Sequence, residues 1–117
     1  MIDIIAVNSL LTDIFGLTVY IDFVPESAYK PAVSWDHISD SSVRVLDGDK
    51  TGRSNTIRVS IATDSIEDLS NYVNIGEAAD NTSNADFTNI FVLNTIIASK
   101  DDTDSSYRQA FIDYQLY

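Results

Sequence analysis

Residues able to do chemistry are scarce in this chain. The single histidine, His37, stands beside Asp36 in the alternating run Ala32 to Ile38. Neighbouring strand residues point to opposite faces, so the two do not form a proton relay and His37 takes a structural or surface role. With one histidine and no cysteine, a nitrogen or sulfur metal cluster has almost no material, and disulfides and thiol catalysis are excluded together. Acids are plentiful. Asp101-Asp102-Thr103-Asp104 and Asp47-Gly48-Asp49 offer oxygens to a cation such as calcium. Neither continues into the glycine and distal glutamate of an EF-hand loop, and both read as solvated turns. Gly48-Asp49-Lys50-Thr51-Gly52 has the composition of a phosphate loop but lacks its spacing, and it leads into a strand instead of a helix N-terminus. Asn81-Thr82-Ser83 matches the N-glycosylation pattern, which carries weight only in a secreted chain. Nucleophile-elbow, paired-carboxylate and dinucleotide motifs are absent. An acid pair assembled in space from distant aspartates is the one enzymatic route left open. No cofactor and no metal is implied.

What remains is a segregation of charge. Val43 to Thr63 reads as a long β-hairpin, two apolar-alternating arms around the polar tip Asp47-Gly48-Asp49-Lys50-Thr51-Gly52-Arg53-Ser54-Asn55. In the second arm Ile57, Val59 and Ile61 alternate with Arg58, Ser60 and Ala62, giving one buried and one largely polar face. Four of the seven basic residues, Arg44, Lys50, Arg53 and Arg58, lie in this stretch against Asp47 and Asp49, a formal +2. The rest of the chain carries sixteen acids and three bases. Each arm of the tip reaches ~13 Å at the ~3.3 Å strand rise, far enough to meet a neighbouring subunit. A positive projection on a negative body suits head-to-tail contacts, which close into rings when the rotation permits. The tip residues 47–55 are therefore the expected protein-docking site.

The whole chain sets the frame for that arm. Its 117 residues fit a single domain, 1–117, with one core. A net charge of −11 opposes non-specific binding to nucleic acid and to anionic membranes, because phosphate affinity comes from Lys and Arg. The opening MIDIIAVNSL has no basic region or cleavage site, and no apolar run approaches the ~18 residues of a membrane span, so a soluble protein made in the cytoplasm is expected.

The elements that must position the hairpin can be read in order. Spacings of three and four predict an amphipathic helix over Ile2 to Ile14, closed by Gly16. Leu17 to Phe23 alternates as a strand, and two prolines mark 24–31 as a loop. Ala32 to Ile38 is the next strand, followed by the serine-rich lead Ser39 to Ser42 and the hairpin. Asp64-Ser65-Ile66-Glu67 fits a capping box and opens a helix that fades before Asn81. Gly76 inside it costs stability unless another backbone packs closely there. Phe87 to Ser99 is apolar on both sides, which predicts a central strand or one covered by another subunit, and Tyr107 to Tyr117 alternates as the last strand. The order α-β-β-β-α-β-β predicts an α+β fold: a mainly antiparallel sheet with two helices packed on it and a long projecting hairpin.

Several of these strings together resemble the tail terminator (tail completion, minor tail) proteins of long-tailed bacteriophages over nearly the whole chain. They are the N-terminal helix, Thr18-Val19-Tyr20, Pro31-Ala32-Val33-Ser34-Trp35, Ile57-Arg58-Val59-Ser60-Ile61, Asp64-Ser65-Ile66-Glu67-Asp68-Leu69 and Tyr107-Arg108-Gln109-Ala110-Phe111-Ile112-Asp113-Tyr114. The resemblance implies a structural virion protein, assembled in the host cytoplasm, that forms a ring of typically six copies. Such a ring caps the tail tube, stops its polymerisation and presents a surface to the head-tail connector or stopper, with DNA passing through the lumen. It implies a hairpin that meets the tube protein or the adjacent copy. The acidic balance fits a lumen that does not hold the genome. A head-tail connector or stopper protein is the alternative in the same particle, and a small ligand-binding or enzymatic α+β domain the alternative in a different class.

Overall fold

A computed structural model describes residues 3–22, 31–44, 50–97 and 108–117, with side chains described for 3–22, 31–38, 55–97 and 108–117. Among them, two helices and five strands alternate as α1 (Ile4–Phe15), β1 (Val19–Ile21), β2 (Ala32–Arg44), β3 (Lys50–Thr63), α2 (Ile66–Glu77), β4 (Ile90–Ile97) and β5 (Arg108–Leu116). The strands form one sheet in the order β1-β2-β3-β5-β4. Only the β1–β2 pairing is parallel. This is the α+β architecture read from the sequence.

Helix α1 starts where Asp3 accepts the Ile5 and Ala6 amides and ends at Gly16, whose φ of 67° only glycine adopts without strain. Its buried stripe, Ala6, Val7, Leu10, Leu11 and Phe15, faces the sheet. Asn8 ties the helix to β2 by accepting a hydrogen bond from the Trp35 indole at 2.7 Å. The strand expected over 17–23 is shorter. Asp22, with φ 73°, turns the backbone out of the extended region directly after Ile21, and Phe23 to Lys30 lie outside the described residues.

The inward face of the sheet carries the expected alternation. Ile57, Val59 and Ile61 of β3 and Ala110, Ile112, Tyr114 and Leu116 of β5 are all buried. Cross-strand register stacks them in rows, Trp35 with Val59 and Ile112, and Val33 with Ile61 and Ala110. Each large side chain so buried contributes about 1.5–3 kcal/mol relative to exposure.

Helix α2 begins one residue later than the capping box suggested. Ser65 is the N-cap, its Oγ accepting the Asp68 amide at 3.2 Å. Gly76 faces tight packing, but from side chains rather than backbone. A Cβ there would lie 2.6 Å from Ile112 Cδ1, 2.9 Å from Tyr114 Oη and 3.0 Å from Phe15 Cζ. The Tyr114 hydroxyl donates to the Gly76 carbonyl at 2.6 Å, so this one position joins both helices to β5.

The largest departure concerns β4. Of the two expectations for the apolar run, a central strand or one covered by another subunit, the first does not hold: among the described residues it is an edge strand, neighbour to β5 alone. Leu93 (52%), Ile96 (41%) and Ile97 (56%) are exposed, while Phe87 and Ile90 supply its buried end. Uniform apolarity signals two covered faces only when the covering layers belong to the same chain.

Candidate assembly surface

Two features of the sheet leave surfaces unfinished. The first is the hairpin. Pairing of β3 with β5 stops at Asn55, opposite Leu116. On the other side, β1 follows β2 as far as Trp35, where the Asp22 amide donates to the Trp35 carbonyl at 2.9 Å. Among the described residues, β2 from Ser39 to Arg44 is bonded only to β3, over Lys50–Thr56. The result is a two-stranded ribbon of about six residues a side, ~20 Å long at the strand rise. The chain extends 54 × 24 × 23 Å along its principal axes. The ribbon leaves the sheet at a register shift between His37 and Ser39, and a second lies between Val43 and Arg44. Such extra residues increase local twist and bend the ribbon.

The expected tip is turn over fewer residues than the sequence suggested. Lys50, Thr51, Gly52, Arg53, Ser54 and Asn55 are strand, not turn: Gly52 pairs with Val43, Arg53 with Ser42, and Lys50 with Arg44. Asp47, Gly48 and Asp49 lie outside the described residues. Alternation in the second arm simply continues past Ile57 through polar residue types, which a hydrophobicity pattern does not register as strand.

The charge of the arm also needs correction. Arg58 belongs to the sheet body, where its Nε and a terminal nitrogen donate to the two Asp113 carboxylate oxygens at 2.8 and 3.1 Å. Its guanidinium carbon lies 5.8 Å from the centre of the Phe111 ring. The hydrogen-bonded Asp113 carboxylate raises the Arg58 pKa further above its already high ordinary value. Without Arg58, the ribbon from Ser39 to Asn55 carries Arg44, Lys50 and Arg53 against Asp40, Asp47 and Asp49, and is formally neutral. The projection is a neutral arm on an acidic body.

Asp36 and His37 diverge as the strand geometry requires. His37 is exposed and its Nε2 lies 3.1 Å from Asn55 Oδ1 at the root of the ribbon. Asp36, on the other face, pairs in register with Arg58. Desolvation, reinforced by a hydrogen bond and repulsion from Asp22, raises the Asp36 carboxyl above its ordinary value, with Arg58 opposing.

The second unfinished surface is the β4 edge. Its first half is closed by the chain itself. Asn81 N–H donates to the Ile90 carbonyl at 2.7 Å and Ile90 N–H to the Thr82 carbonyl at 2.8 Å, while Asp80 Oδ1 accepts Val92 N–H at 2.9 Å. A register shift between Val92 and Asn94 leaves Leu93 as the extra residue. Backbone groups of an antiparallel strand alternate between facing the partner and facing away. The next outward pairs are therefore those of Thr95 and Ile97, and among the described residues nothing pairs with them. From Phe87 to Ile97 there is neither charge nor proline, the devices that usually blunt an edge.

Among the described residues no group of three or more His, Asp or Glu could hold a metal ion. The groove along the outward face of α1, lined by Ile5, Asn8, Ser9, Thr12 and Asp13, is open and presents no nucleophile with a base. Among the described residues no helix is long and apolar enough to cross a membrane. The projecting hairpin was expected from the sequence; its exact extent and the open end of the β4 edge depend on where neighbouring strands stop, which sequence pattern alone does not give. A hint was present in the lack of Lys, Glu or Pro in Phe87 to Ile97.

The fold defines the class, a mixed five-stranded sheet with two helices on one face. No protein-family model matches the chain, and no curated protein matches it. Among solved structures, the fold is similar to that of a chain in the virion of a native gene transfer agent (GTA) particle. The two are 15% identical with a TM-score of 0.51, over 95% of this chain and 85% of that one. At that identity the likeness is one of fold.

Proposed function

We propose that this protein is a non-enzymatic structural subunit of a virion, and within that class a tail terminator. Copies form a ring, six by the resemblance of their sequence strings, that caps the tail tube, ends its growth and presents a face to the head-tail connector. DNA passes through the lumen without specific binding. The observation that carries the reading is the fold shared with a virion chain over 95% of this chain. Two physical features support it. Among the described residues the ribbon projects beyond the strands that would satisfy its edges, and β4 leaves a charge-free edge with three large apolar side chains exposed. Open edges and exposed apolar side chains of this kind fit surfaces that other protein covers. The charge of −11 fits passage of DNA through a lumen that repels phosphate.

The test is electron microscopy of particles made without the protein. Overlong tails support a terminator. Tails of normal length that fail to join heads favour a connector or stopper instead, and normal particles contradict both.

A further inference from the structure

The two unfinished edges complement one another. A chain of formal charge −11 repels its own copies, so self-contact is least costly between surfaces without net charge. By sequence the hairpin from Ser39 to Asn55 balances three acids with three bases, and β4 and its lead carry no charge from Phe87 to Ile97. Helix α2 and the segment after it carry Glu67, Asp68, Glu77, Asp80 and Asp86 with no base between them, and Asp22 and Asp36 flank the β1 edge.

The hydrogen-bonding inventory points the same way. Among the described residues nothing pairs with the β3 side of the ribbon over Lys50–Ser54, beyond the end of β5. On β4 the edge that no described residue pairs with runs from Leu93 to Ile97, beyond the segment Asp80–Thr82 that closes its first half. The two free edges have equal length. They cannot meet within one chain, because β5 lies between β3 and β4.

We infer that the ribbon of one copy adds as a further strand along Leu93–Ile97 of the next copy, continuing the sheet from subunit to subunit. Main-chain bonds supply the register of such an addition and exposed side chains its selectivity. Leu93, Ile96 and Ile97 leave water where the strand lies down. Because the donor and acceptor are different surfaces, the contact is head-to-tail and compatible with a closed ring. This rests on the reading that the chain self-assembles.

The chain has no cysteine, so single-cysteine variants are a clean probe. Ser54→Cys and Thr95→Cys variants are mixed and treated with a short bismaleimide, each also being treated alone. Cross-linked dimer in the mixture and little in either variant alone is the expected result. Dimer from Thr95→Cys alone, or assembled protein with no cross-link in the mixture, overturns the ribbon–β4 contact while leaving self-assembly intact. Protein that remains monomeric by light scattering in every condition overturns both. In an independent arm, Leu93→Lys with Ile97→Lys places charge on an exposed edge, where the fold tolerates it. Loss of the higher-mass species with unchanged circular dichroism is expected, and retained assembly overturns the contact.

Discussion

Gly76 and Tyr114 carry the densest set of constraints on single residues. Gly76→Ala adds a methyl group where Ile112 Cδ1 would be 2.6 Å away. The helix gains about 1 kcal/mol of intrinsic propensity, and overpacking costs about 1–3 kcal/mol. Three neighbours, two on β5 and one on α1, must give way, so a net loss of up to about 2 kcal/mol in urea unfolding is expected. Tyr114→Phe removes the 2.6 Å bond to the Gly76 carbonyl. That carbonyl keeps a 3.3 Å bond from the Ala79 amide, so a loss of about 1 kcal/mol is expected by the same measurement. Asp36 tests electrostatics. Its pKa is raised in the folded state, chiefly by desolvation and then by Asp22. A raised carboxyl stabilises the fold, relative to higher pH, when protonated below the ordinary value of 3.8, and that contribution is lost as pH rises through the folded value. Asp36→Asn is therefore expected to raise stability slightly at pH 7, by about 0.5 kcal/mol or less for so accessible a group. The gain should vanish at pH 3, as read from denaturation midpoints at both pH values.

At the scale of elements, the alternating strands were legible because their burial is decided within the chain. Ile57, Val59, Ile61 and Ala110, Ile112, Tyr114, Leu116 alternate in sequence and are buried in the fold. The Asp3 and Gly16 caps bracket α1 much as its residue spacing suggested. β4 and the ribbon were not legible in the same way. An apolar strand looks central whether its cover comes from helices or from another subunit, and polar residues at Lys50–Asn55 look like a turn until Ser39–Arg44 is seen opposite them. The expectation of docking at residues 47–55 rested on the hairpin's length and on its positive charge, and of that charge Arg58, bound to Asp113, belongs to the sheet body. Two element-scale outcomes follow. Replacing residues 39–54 with an Asn-Gly turn removes no core residue of β2 or β3, so it should preserve the core and abolish self-association in sedimentation velocity. Lys50→Ala with Arg53→Ala leaves Arg44 as the ribbon's only base against three acids, making it net negative. It should weaken association at low salt, with partial recovery as salt screens the repulsion.

For the whole molecule, the revised charge map changes the sign of the salt response. A positive arm docking on a negative body loses affinity as salt rises, whereas neutral edges joining strongly acidic subunits gain it, because the −11 bodies repel less. Self-association should therefore strengthen between about 0.05 and 0.5 M salt, where the screening length falls from about 14 Å to about 4 Å. The central claim, that this is a subunit of a closed ring, is tested most directly by sedimentation velocity of the purified protein across that range. The account predicts a single species of defined mass, a whole-number multiple of the 12.9 kDa chain, whose share grows with salt. A monomer at every concentration and salt would contradict it.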